Sequence, residues 1–170
     1  GDVQITGSLN VTGSLGLVYR AGLASIVIGE GAGAALTSGF GNILMGHEAG
    51  ESITSNGGNI AIGWRASKDT TGGSNVVIGE AAYQDGTGER NIFIGGYAGN
   101  ELSNGGSQHN IGIGIDALKG GSTDSRYNVA LGSQAGMSMN GGSRNVLVGN
   151  SAGFSITTGV DNVMVGTNTG

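Results

Sequence analysis

An asparagine returns every 16 to 19 residues through most of this chain, and the same phrase follows it each time. At Asn75-Val76-Val77-Ile78-Gly79-Glu80-Ala81-Ala82 the phrase reads Asn, apolar, variable, apolar, Gly, then an Ala three residues on. It recurs at Asn42, Asn59, Asn75, Asn91, Asn110, Asn128, Asn145 and Asn162, and Ser25 opens a degenerate first copy. The gaps are 17, 17, 16, 16, 19, 18, 17 and 17 residues, so nine copies fill residues 25–170. A unit this short cannot bury an apolar side by itself. Stacked on its neighbours it can, so a period in this range specifies a quasi-one-dimensional stack. The predicted fold is all-β: a parallel β-roll or β-helix solenoid over 25–170, preceded by a β lead-in segment over 1–24.

Composition narrows the alternatives. Gly supplies 38 of 170 residues and Pro none, yet the glycines have no three-residue period, which excludes collagen. Charged residues make up only 11%, too few for a disordered chain. The net charge of −5 and the scattered Lys and Arg argue against nucleic acid or an anionic membrane surface as partner. No apolar run reaches membrane-span length, so no membrane insertion is expected. With no Cys there is neither a disulfide nor a thiolate metal site. The chain opens on Gly1-Asp2 and stops on a repeat boundary at Gly170, and it reads as a segment of a longer protein.

In the lead-in, Val3-Gln4-Ile5-Thr6-Gly7-Ser8 is echoed by Leu9-Asn10-Val11-Thr12-Gly13-Ser14, which predicts two short strands and a turn. Asn10-Val11-Thr12 matches a glycosylation acceptor and reads as a chance match.

Within each repeat the strand comes first. Its first and third positions are apolar in every copy, from Ile26 and Ile28 to Val163 and Val165. Period-2 geometry points those two side chains one way and the residue between them the other. That middle residue is never charged: Val27, Leu44, Ala61, Val77, Phe93, Gly112, Ala130, Leu147, Met164. The strand is therefore expected to be covered on both faces. A thin coil has one interior, so a neighbouring chain is expected to cover the middle column, with Val27, Leu44, Val77, Phe93, Leu147 and Met164 at an oligomer interface. The anchor asparagines are expected to form a hydrogen-bonded ladder along the stack. The Gly after each strand predicts a tight corner, and the following Ala a narrow interior position. Leu36, Ile53, Leu102, Met139 and Ile156, seven residues past the corner Gly, predict a second apolar contact. Thr70, Gly86 and Gly121 stand at that phase elsewhere.

The phrase Asn-[Ile/Val]-x-[Ile/Val/Leu]-Gly-x-x-Ala, followed by Asn/Thr-Gly-Gly turns such as Asn56-Gly57-Gly58, resembles the repeats of bacteriophage tail fibres and related virion fibres. It is also similar to the head repeats of YadA-like trimeric autotransporter adhesins. The lead-in Ile5-Thr6-Gly7-Ser8-Leu9-Asn10-Val11-Thr12 looks like the β-rich start common in phage fibre proteins. The resemblance implies a homotrimer on a virion, or alternatively on a bacterial surface. It further implies contact with other virion tail proteins and attachment to a host-surface glycan or protein receptor. Adhesin head repeats are usually shorter than those here, which favours the fibre. A left-handed hexapeptide β-helix is the structural competitor, because Ile28-Gly29-Glu30-Gly31-Ala32-Gly33 matches one hexad, but only one hexad fits per repeat.

No catalytic residue, cofactor or metal is predicted, and the chain is read as a non-enzyme. A polysaccharide-degrading tailspike would need two carboxylates at a set separation, and Asp85 with Glu89 or Asp116 with Asp124 are the candidates. Each pair reads as solvated loop residues. His47 and His109 stand at different phases and read as surface histidines. Trp64 and Tyr97, just past their corner glycines, are the residues expected to touch a host surface.

Overall fold

The computed structural model describes residues 17–20, 23–103, 106–121 and 124–170, with only the backbone described for 17–20. Strands expected within 3–14, and the Asn10 acceptor, lie outside the described residues. The fold is a parallel β-solenoid. Its strands are β2 (Ser25–Ile28), β3 (Ile43–Met45), β4 (Ile60–Ile62), β5 (Val76–Ile78), β6 (Ile92–Ile94), β7 (Ile111–Ile113), β8 (Val129–Leu131), β9 (Val146–Val148) and β10 (Val163–Val165). Their order in the sheet follows the chain. The register sets each phrase on the next, position for position, with Val77 beside Phe93 and Phe93 beside Gly112. Before them, β1 (Leu17–Arg20) runs antiparallel to β2 and covers its free edge. Nine strands at the usual spacing of about 4.8 Å make a stack roughly 38 Å long. The opposite wall of each coil is a stack of turns. It is joined by bonds such as Gly50 N–H to the Ala66 carbonyl (2.9 Å) and Ser52 N–H to the Lys68 carbonyl (2.8 Å).

The two faces of the strand are exchanged relative to the sequence expectation. Val27, Leu44, Val77, Phe93 and Leu147 are buried in the coil's own interior, and Met164 packs against that core, so none of them faces a neighbouring chain. The side chains at the first and third strand positions point outward, and none of the eighteen is buried. The reason is room. The interior also holds the small residues at the narrow position, Ala49, Ala66, Ala82 and Ala98 among them, and one further side chain from the turn wall. A slot that thin accepts one strand residue per coil, and the alternation leaves two outside.

The side chain from the turn wall enters from one of two places. Counted from the anchor, position 11 supplies Leu36, Ile53, Leu102, Met139 and Ile156. In those coils position 8 is Gly33, Gly50, Gly99, Gly136 and Gly153. Where position 11 is Gly86 or Gly121, position 8 is Tyr83 or Leu118 instead, both fully buried. The exchange is steric. A Cβ on Gly136 would lie 2.9 Å from Leu118 and Leu147 side-chain carbons, and one on Gly86 would fall within the Tyr83 ring. Size is also traded between strands. A Cβ on Gly112 would meet the Phe93 ring at 2.9 Å, so the glycine at this middle position is the counterpart of a large neighbour.

The corner glycines answer a backbone demand. Gly79 has φ of 139°, and a Cβ there would stand 2.5 Å from the Gly95 carbonyl oxygen of the next coil. No side chain fits that column. Three other columns hold left-handed residues: the position before the anchor and positions 6 and 8 after it. They include all non-glycine residues of positive φ among the described residues, such as Arg90 (57°), Arg65 (54°) and Tyr83 (46°). Each costs on the order of 1 kcal/mol, offset by the stacking that repeats it.

Candidate functional site

Three features compete as the functional surface: the asparagine ladder, the outer strand face and the corner that follows it. The ladder lies inside. Asn42, Asn59, Asn75, Asn91, Asn110, Asn128 and Asn145 are buried, and Asn162 half-buried. The Asn75 Oδ1 accepts from the Asn91 backbone N–H (3.0 Å) and from its Nδ2 (3.3 Å), and this repeats rung by rung to Asn162. Ser25 caps the series, its Oγ accepting the Asn42 N–H. From Asn42 to Asn145 each amide also closes its own coil. Asn59 Nδ2 donates to the Gly72 carbonyl, Asn91 Nδ2 to Ser107 and Asn145 Nδ2 to Gly159. The acceptor is always three residues before the next anchor, so coils of 16 and of 19 residues close alike. The variable length is taken up between position 11 and that carbonyl. These side chains have no surface to offer a ligand. Their work is cohesion, since every buried polar amide group is paired.

The outer strand face is the opposite case. Its two columns carry only Ile, Val, Leu and Met, and several stand well open, Ile78 at 36% and Ile26 at 46% exposure. The strip is about 38 Å long and roughly 10 Å across, near 400 Å², comparable to the largest apolar patch on a typical monomer. It is bounded on one side by the corner column Glu30, His47, Trp64, Glu80 and on the other by the left-handed residues before each anchor.

At the corner, the expected contact residues Trp64 and Tyr97 are both exposed, at 43% and 39%. The Arg65 guanidinium lies 4.3 Å from the Trp64 ring centroid. The Arg65 Nε donates to Glu48 (2.7 Å), which Lys68 also reaches (2.9 Å). Hydrogen bonds from Lys68 and Arg65 hold the Glu48 carboxyl below the usual range, and its bond to Glu48 raises Lys68 in turn. The Tyr97 hydroxyl donates to Glu80 (3.2 Å), which raises its pKa, and Lys119 Nζ stands 5.5 Å from its ring. Sequence reasoning found the two rings but not the cations on them, because the partners lie one residue or one coil away at phases that carry no repeating charge.

The candidate carboxylate pairs are each turned to a cation or to solvent. Asp116 meets Lys119 (3.2 Å), Asp124 meets Arg126 (3.0 Å), Glu89 meets Arg90 (3.5 Å), and Asp85 is exposed. His109 stacks on Tyr127 with ring centroids 5.0 Å apart, and His47 sits 3.9 Å from Glu30 and Glu48 oxygens. Among the described residues no three His, Asp or Glu side chains gather as metal ligands. No helix among the described residues is long and apolar enough to cross a membrane. Compared with known protein families, curated proteins and solved structures, the chain matches none.

Proposed function

We propose that this chain is a structural segment of a homotrimeric fibre of the phage tail-fibre kind, borne on a virion and taking part in attachment to a host surface. One observation supports association with further copies: the outer strip of Ile, Val, Leu and Met is uncharged over nine coils yet open to solvent in one chain. A flat strip with a repeat near 4.8 Å is matched along its whole length by a partner of the same period, and a second copy has that period. Three strips facing one axis form a dry core with all chains pointing along the fibre. The fibre and its threefold order rest on the resemblance of the repeat phrase. So do the host-surface receptor, glycan or protein, and the contact with other tail proteins. The head of a bacterial trimeric adhesin is the second reading, favoured by the same phrase. In both the chain acts by shape and contact, without catalysis.

Light scattering of the chain is expected to give about three times 16.7 kDa. Ile60→Asp, on the outer column, is expected to reduce that mass to one chain while circular dichroism keeps its strand signal. A wild-type monomer would overturn the trimer. Release of reducing ends from capsular polysaccharide would overturn the non-enzymatic reading.

A further inference from the structure

We propose that the corner around Trp64 is a saccharide-binding patch; this rests on the attachment reading and gives it a ligand class. Trp64 is the chain's one tryptophan, it is 43% exposed, and its indole N–H has no hydrogen-bond partner among the described residues. The ring is held by the Arg65 guanidinium at 4.3 Å, itself tied to Glu48 at 2.7 Å. His47 stands at the same phase one coil before and Glu80 one coil after, at steps of about 4.8 Å. A sugar ring offers an apolar C–H face and a rim of hydroxyls that donate and accept. The patch presents the complement: a fixed aromatic surface, a free N–H donor, a carboxylate acceptor and an imidazole able to do either. Because the ring is already oriented, little side-chain entropy is lost on binding. A protein partner fits less well. A buried hot spot needs a ring of apolar neighbours that excludes water, and Trp64 has the apolar strip on one side only, with polar His47 and Glu80 along its column. The outer strip, conversely, has no polar side chain with which to orient a sugar.

Because Trp64 is alone, tryptophan emission of the full chain reports this place only. We would titrate the chain with oligosaccharides of hexose, N-acetylhexosamine and hexuronic acid residues. The expected result is a saturable emission change with at least one class. Binding of that same saccharide to immobilised Trp64→Ala should be weaker by about tenfold or more, with circular dichroism and oligomer mass unchanged. Equal binding by wild type and Trp64→Ala would overturn the site and leave attachment standing. No binding to any saccharide, or Trp64-dependent binding to protein surfaces alone, would overturn the ligand class. The fibre reading is judged separately by the light-scattering mass.

Discussion

The two faces of the one sheet obey different rules. The inner face varies in size from Gly112 to Phe93, and the glycine there makes room for the neighbouring ring. The outer face hardly varies: eighteen positions hold almost only Ile and Val, and no partner within the chain answers them. Compensated variation of this kind marks a closed, close-packed interior. Uniformity is what the proposed partner, a second copy with the same period, would require of the outer face.

Charge insertion separates the faces most sharply. Leu44→Asp places a carboxylate among fully buried side chains and is expected to cost about 4 kcal/mol or more, abolishing the fold or its cooperative melt. Ile78→Asp, at a position 36% exposed, is expected to cost a single chain only about 1 kcal/mol, mainly lost strand propensity. Its effect should instead fall on association. Urea unfolding paired with light scattering reads both terms. Comparable loss of folding stability in dilute, monomeric protein would remove the distinction between the faces.

The inner rule is tested next by moving one side chain. Tyr83 fills the space left by Gly86, and its hydroxyl accepts from the Gly88 N–H (2.7 Å) and Asn91 Nδ2 (3.2 Å). Tyr83→Gly empties that space and is expected to cost about 3 kcal/mol, less than a full aromatic deletion because a left-handed backbone is relieved. The double change Tyr83→Gly with Gly86→Leu rebuilds the arrangement of the Gly99–Leu102 coil and is expected to recover most of the loss. If the double variant is no better than the single one, the two positions are not alternatives for one space.

These comparisons show what was legible in the chain. The period, the parallel stack, the tight corner and the asparagine ladder follow from residue phase alone. Which face lies inside does not follow from alternation, since period 2 separates two sets without naming the inner one. Two uniformly apolar columns against one mixed column predict Val27, Leu44, Val77, Phe93, Leu147 and Met164 on the outside, whereas they lie in or against the chain's own core. A signal was present. A ladder of amides closing each coil must point inward, and the middle residue, two positions on, shares its side. The exchange between positions 8 and 11 was likewise written in Tyr83 with Gly86 and Leu118 with Gly121, but it emerges only when the two phases are read as a pair. The Arg65–Trp64 contact had no such trace, because it depends on a left-handed turn that brings adjacent side chains together.

The smallest expected effect comes from the coil that follows neither inner arrangement. Between Asn59 and Asn75, position 8 is Ser67 and position 11 is Thr70, both buried. The Thr70 hydroxyl donates to the Tyr83 carbonyl (3.0 Å), but Ser67 Oγ is the one buried side-chain polar atom among the described residues without a partner. Ser67 also holds φ of 52°. Ser67→Ala removes the unpaired hydroxyl and keeps the strained Cβ; Ser67→Gly removes both at some cost in chain entropy. Each is expected to stabilise by up to about 1 kcal/mol, with the glycine ahead if strain outweighs entropy. The urea midpoint measures it. A destabilised Ser67→Ala would mean that the hydroxyl is satisfied in solution by a bound water, and that this coil, too, balances its interior.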